Sequence, residues 1–190
     1  MYIIITASPN KDGLTAACGK AAFDGITSAG GEAEIIDICE EKLQSCRVCS
    51  NGWGPCYGTA VCVIDDVMAS LRTKIRESKG VTLITPVYFG LPSEPMKYFL
   101  DRFRRLEVFN EKLGSAAKDI PIDLIAAAGG SGNGNIPCLT EMEQWCRQVG
   151  ALIKERIGIT RYNREPMLKV IEDSASRLVT GNYFDVRLTT

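Results

Sequence analysis

The stretch Tyr2-Ile3-Ile4-Ile5-Thr6-Ala7-Ser8-Pro9-Asn10-Lys11-Asp12-Gly13-Leu14-Thr15 decides the fold class. Its first five residues are apolar and largely β-branched, with no alternation. That is the pattern of a strand buried on both faces, as in a parallel sheet. A polar loop with a proline and a glycine follows, residues 8–13. An Ala-rich, helix-compatible segment then runs over 14–29 and ends at Gly30-Gly31. A buried strand feeding a helix through a short polar loop is the first half of a βαβ unit.

The same unit recurs downstream. Strands are expected over 34–38, 81–85, 122–128 and 152–159. The third is stopped by Pro86, and the last reads as an edge strand because it carries Lys154, Glu155 and Arg156. Helices are expected from an Asp65 or Asp66 cap to about 78, then over 95–107 with Pro95 in the first turn, 140–150 and 165–178. Strand and helix alternate about five times without an internal repeat. The expected architecture is a three-layer α/β sandwich around a five-stranded parallel sheet, its ligand outside the carboxyl ends of the strands. The 190 residues suit one domain, 1–190, with a Cys-rich insertion at about 40–62.

Composition narrows the function. Hydrophobic residues make up 45% and charged residues 24%, ordinary values for a soluble globular chain. The net charge of −1 gives no electrostatic reason to expect nucleic acid or an anionic membrane as partner. Apolar runs fall short of the ~20 residues of a membrane helix. The N-terminus lacks a basic region, so a cytoplasmic location is expected. With no histidine in the chain, the commonest general base and the commonest metal ligand are both excluded.

Three loops lie at the expected ligand end. The first offers Ser8, Asn10, Gly13 and Thr15 at a helix N-terminus, a setting for a phosphate. It is neither Gly-x-Gly-x-x-Gly nor a P-loop, which disfavours a dinucleotide or a nucleoside triphosphate. The second is Thr85-Pro86-Val87-Tyr88-Phe89-Gly90-Leu91-Pro92-Ser93, a rigid backbone beside two aromatic rings that suits a flat ligand. The third, 129–135, holds four glycines in seven residues. That costs order, which close approach of the backbone to a ligand explains, as does simple flexibility.

Eight cysteines are present, and Cys46, Cys49, Cys56 and Cys62 fall within 17 residues. A Cys-x-x-Cys pair plus two more cysteines supplies four thiolates. Without histidine the centre is all-thiolate, either an iron–sulfur cluster or zinc. A reduced or disulfide-forming loop is the alternative. Cys18, Cys39, Cys138 and Cys146 read as small core residues.

The loop 8–15, then Cys62-Val63-Ile64-Asp65-Asp66, then Thr85-Pro86-Val87-Tyr88-Phe89-Gly90, then Lys97 with Leu100-Asp101-Arg102 follow one another at a spacing that resembles the NADPH-dependent FMN reductase family. This is a flavodoxin-like branch that includes the iron–sulfur flavoproteins, and the resemblance covers about the first 150 residues. It implies sheet order 2-1-3-4-5 and an FMN whose phosphate is held by Ser8, Asn10, Gly13, Leu14 and Thr15. Asn10 stands where arginine is frequent, and Leu14 where asparagine is. Pro86, Val87, Tyr88, Phe89 and Gly90 would line the ribityl chain and flavin edge, and Gly129, Gly130, Ser131 and Gly132 would flank the ring system. The resemblance further implies an enzyme passing electrons from NAD(P)H to a flavin, quinone or similar acceptor. The flavin carries the chemistry, so no catalytic side chain is required. The alternative is an iron–sulfur flavoprotein relaying between FMN and a ferredoxin-like partner, with Cys46, Cys49, Cys56 and Cys62 as ligands. In the compact form of that motif the third cysteine stands where this chain has Gly52. Homodimers or homotetramers are expected, with the last helix and the Asp101–Arg102 region as contacts. Lys97, Asp101 and Arg102 read as framework or subunit-contact residues.

Overall fold

A computed structural model describes residues 1–108 and 114–182; the C-terminal tail beyond them lies outside the described residues. Five parallel strands form the sheet: β1 (Tyr2–Thr6), β2 (Ala33–Asp37), β3 (Val81–Tyr88), β5 (Pro121–Ala128) and β6 (Leu152–Thr160). Their spatial order is β2-β1-β3-β5-β6, and a two-residue strand β4 (Leu91–Pro92) pairs antiparallel with β3. Counted over the parallel strands alone, the order is the expected 2-1-3-4-5.

The apolar run of β1 is buried throughout, as its lack of alternation demands. One face of the sheet carries α1 (Leu14–Ser28) and α6 (Arg164–Thr180), which enclose Ile4, Cys18, Ala22, Ile26, Ile171 and Ala175. The helices touch closely at Gly25, where an added Cβ would lie 2.1 Å from the Glu172 carbonyl oxygen. The other face carries α3 (Met68–Glu77), α4 (Glu94–Glu107) and α5 (Asn135–Val149). There Phe99, Phe103 and Trp145 form a ring cluster with centroids 5.3–5.8 Å apart, and the Trp145 Nε1–H donates to the Leu100 carbonyl at 2.9 Å. Cys138 and Cys146 are buried on this side, as Cys18 is on the other.

The structure departs from the sequence expectation at three places near the ligand end. Pro86 does not stop β3, which continues to Tyr88 and pairs Pro86 with Ala127. The Gly80 and Ile84 carbonyls face β1 and accept from Ile3 and Ala7, so the missing Pro86 donor also faces that side, beyond the end of β1. Helix α5 starts at Asn135 rather than 140, with Pro137 in its first turn and Gly134 entering it at φ +89. Helix α3 starts at Met68; Asp66, read as a cap, accepts the Met68 N–H but is committed mainly elsewhere.

Candidate functional site

The phosphate-loop residues surround the start of α1. Ser8 and Thr15 are buried, and Ser8 Oγ accepts the Asn10 N–H at 3.2 Å. The Asn10 side chain folds back to accept the Asp12 N–H at 3.3 Å, an Asx turn. Gly13 lies against it: a Cβ there would come within 2.8 Å of the Asn10 amide nitrogen. Gly13 occupies the cap position of α1 without a side-chain cap bond, and no acidic residue occupies the first turn. The leading amides and the positive end of the helix therefore remain available to an anion.

The loop after β3 is tied to the end of β1. Ser93 donates its N–H to Thr85 Oγ1 at 3.0 Å and its hydroxyl to the Ala7 carbonyl at 2.7 Å. Both side chains are fully buried. Beyond this anchor the β3–β4 turn projects Tyr88 and Phe89, the latter wholly exposed at φ +52. Pro86 is buried and Val87 half-buried. Gly90 touches the third loop: a Cβ at Gly134 would lie 2.8 Å from Gly90 Cα. Gly129 and Gly130 have nothing within 4 Å of where a Cβ would stand, whereas Gly132, at φ +81, backs onto the Tyr162 ring; Ser131 is exposed. The three loops are thus brought to one end of the sheet. A cavity of about 600 Å³ adjoins the first two, lined by Pro9, Cys39, Leu43, Tyr88, Phe89 and Lys97 among others. Cys39, expected in the core, lines this cavity instead and is half-buried. Burial, helped by Asp37, pushes its thiol up to about 11, so it stays protonated near neutrality.

The cysteine segment has little regular structure, with short helical turns at Cys49–Gly52 and Cys56–Thr59. Val48, Ser50, Asn51 and Ala60 all take positive φ, a strained state that is rare for a β-branched valine. Within this strained loop Cys46, Cys49, Cys56 and Cys62 line a single cavity of about 30 Å³, together with Arg105. All four are half-buried free thiols. Burial and the neighbouring Cys62, Cys46 and Cys49 push the Cys56 thiol up, against the pull of Arg105. Gly54 permits the closeness, since a Cβ there would stand 2.9 Å from Cys49 Cβ. Among the described residues no three His, Cys, Asp or Glu side chains converge on a single ion position.

Arginines from α3 and α4 hold this loop in place. Arg102 is 2% exposed and grips both ends at once: Nη1 donates to the Gln44 carbonyl at 2.9 Å, and Nη2 to Cys62 Sγ at 3.3 Å. The same guanidinium forks onto Asp66 at 2.5 and 2.9 Å. Burial opposes ionisation of Asp66, yet bonds from Arg102, Gln44 and Met68 hold its carboxyl below the ordinary value. Arg105 donates to the Gly52 carbonyl at 3.3 Å, and Arg72 to the Ala60 carbonyl at 2.7 Å while pairing with buried Glu107. Arg72 and Arg105 escaped the sequence reading; the clue was the Arg102/Arg105 spacing of three on one amphipathic helix. Arg102 is a framework residue spent inside the chain, so it is not a subunit contact, whereas Asp101 is exposed.

Comparison with known proteins agrees with this layout. The family described as NADPH-dependent FMN reductase matches residues 2–159. An iron–sulfur flavoprotein of Methanocaldococcus jannaschii is 31% identical over 133 residues, which are 68% of this chain and 62% of that protein. One of Methanosarcina thermophila is 29% identical over 134 residues, 68% of this chain and 63% of its own length. An NADPH azoreductase of a Bacillus species is 28% identical over 141 residues, 74% of this chain and 65% of that protein. The matches thus span somewhat under two thirds of these relatives' lengths. The solved structure of an NAD(P)H:quinone oxidoreductase from Methanothermobacter marburgensis superposes with TM-score 0.74 at 14% identity, covering 93% of this chain and 94% of the other, a likeness of fold. The parallel sheet, the three loops at its carboxyl end and the family match together make this chain a member of the NADPH-dependent FMN reductase family.

Proposed function

We propose that this chain binds FMN at the carboxyl end of its sheet, takes electrons from NAD(P)H and passes them to a flavin, quinone or similar acceptor. The observation that carries this reading is the convergence of the uncapped α1 start, the aromatic β3 turn and the open Gly129-Gly130 backbone on one sheet end. The residues suit the cofactor. Amides at 13–15 with the Ser8 and Thr15 hydroxyls would hold a phosphate, and Tyr88 and Phe89 would edge a flat ring. Gly129 and Gly130 leave room for close approach. Bound FMN supplies hydride acceptance and one-electron release; the chain orients it and limits access of water. Exposed Phe89, Ile136 and Tyr162 support cover of this end by a second copy in a homodimer or homotetramer. Among the described residues no helix is long and apolar enough to cross a membrane.

A second reading adds an iron–sulfur cluster in the cysteine loop, favoured by four thiols around one cavity. A mononuclear zinc site needs four sulfurs at ~2.3 Å from one point, and this arrangement does not provide such a point. A cluster takes one thiolate at each of several irons and accommodates wider spacing. The test is the visible spectrum of protein purified without oxygen, with iron and sulfide assays. Flavin bands that bleach on adding NAD(P)H are expected, with iron and sulfide at cluster stoichiometry. Colourless protein that does not quench added FMN fluorescence overturns the first reading. Flavin without iron or sulfide overturns the second and leaves the first standing.

A further inference from the structure

We propose that Arg102 is a positioning residue for the iron–sulfur centre, its guanidinium holding the Cys62 sulfur and raising the reduction potential of the cluster. The proposal rests on the cluster reading above. Of the four loop sulfurs, Cys62 is the one that receives a charged donor among the described residues: Arg102 Nη2 stands 3.3 Å from Sγ. Cys46 Sγ accepts a backbone amide, from Val48 at 3.4 Å.

The donor has no freedom to swing away. The other bonds of the guanidinium go to both Asp66 oxygens and to the Gln44 carbonyl. Asp66 is itself fixed by the Gln44 and Met68 amides at 3.1 and 3.2 Å. The Arg102 and Asp66 side chains are 2% and 6% exposed, so water does not screen the contact. Asp66 balances the charge of Arg102, but the pair is oriented with a positive N–H edge toward sulfur. Arg105, which has no carboxylate partner among the described residues, adds positive charge at the cavity wall. A donor at a thiolate stabilises the reduced, more negative cluster and raises its potential. A single ammonium lacks the planar fork needed to serve Asp66 and Cys62 together.

The test compares wild type with Arg102→Lys, both purified without oxygen, by potentiometric titration followed by electron paramagnetic resonance. The variant should keep its FMN and its iron and sulfide. Its oxidised-to-reduced equilibrium should shift on the order of tenfold toward the oxidised cluster, about 59 mV for one electron. A full cluster with an unchanged potential overturns the proposal. Should Arg102→Lys not fold, the folded Arg105→Gln protein carries the test, grown with guanidino-¹⁵N arginine. Electron–nuclear double resonance on its reduced cluster should show a ¹⁵N coupling, and its absence overturns the proposal. Wild type with FMN but neither iron nor sulfide fails the cluster reading itself, an outcome distinct from an intact cluster without the arginine effect.

Discussion

The phosphate loop at 8–15 and the cysteine loop at 46–62 differ in what holds them. The first is shaped by its own residues: an Asx turn at Asn10, a glycine at 13 and the start of α1. The second strains its backbone at Val48, Ser50, Asn51 and Ala60, and is restrained by arginines from α3 and α4 that lie up to 58 residues away. Locally encoded geometry survives many changes elsewhere in a protein. Geometry imposed from outside fails when a distant clamp fails. The two centres should therefore respond to different mutations.

The sharpest break is Asp66→Ala, which leaves Arg102 charged in the interior without its carboxylate partner. A loss of about 3–5 kcal/mol in urea unfolding is expected. Iron content should fall in the folded fraction while FMN affinity stays within about twofold, since the clamp bonds lie at the cysteine loop and its flanks, at Gln44, Cys62 and Met68. If FMN and iron are lost together, the two centres are not separately held. Gly134→Ala attacks the other region. Its φ of +89 and the 2.8 Å approach to Gly90 Cα should cost about 1–3 kcal/mol and weaken FMN binding at least ~10-fold in a fluorescence titration. Iron should be unaffected.

A third change lies away from both loops. Asp123, near the start of β5, is 1% exposed, accepts the Ser174 hydroxyl at 2.7 Å, and is pushed by burial up to about 6. The folded state therefore holds its proton more tightly than the unfolded chain. Between the ordinary carboxylate value and about 6, rising pH removes stability, on the order of 1 kcal/mol per pH unit. Asp123→Asn should flatten that slope in urea melts at pH 4 to 7, with FMN and iron unchanged. A slope equal to that of wild type refutes this account. The smallest effect on folding is expected at Gly130→Ala, where the new methyl meets nothing and φ is not positive. Stability should rise by about 0.4–1 kcal/mol, while FMN affinity falls ~10-fold because the methyl occupies the space left for the ring. Unchanged affinity would remove Gly130 from the flavin site.

The same contrast explains what the sequence disclosed. The alternation of strands and helices and the three loops were legible because each depends on residues adjacent in the chain: the apolar run of β1, the prolines and glycine after β3, and the glycines after β5. The order of strands in the sheet came from the family resemblance. Element ends were less legible where a neighbour decided them, as with Pro86, whose missing donor matters only if β1 continues beside it. The cysteine ligands were visible as a spacing. The groups that hold them were not, since Arg72 and Arg105 look like solvated helix charges until the loop folds over them. Asp65 or Asp66 reads as a helix cap, the role suggested by a place just before a helical segment, whereas the pairing of Asp66 with Arg102 spans 36 residues.

One ion pair meets the chain where it enters the cysteine loop, at Gln44, and where it leaves, at Cys62 and Asp66. The span between is closed at its neck, so its length is nearly free to vary: doubling a loop costs only ~0.6 kcal/mol in closure entropy. The wider gap between Cys49 and Cys56 is then a change of cassette on an unchanged holder. Loops of other length, carrying other ligands, should graft between Gln44 and Cys62 without disturbing the sheet beneath.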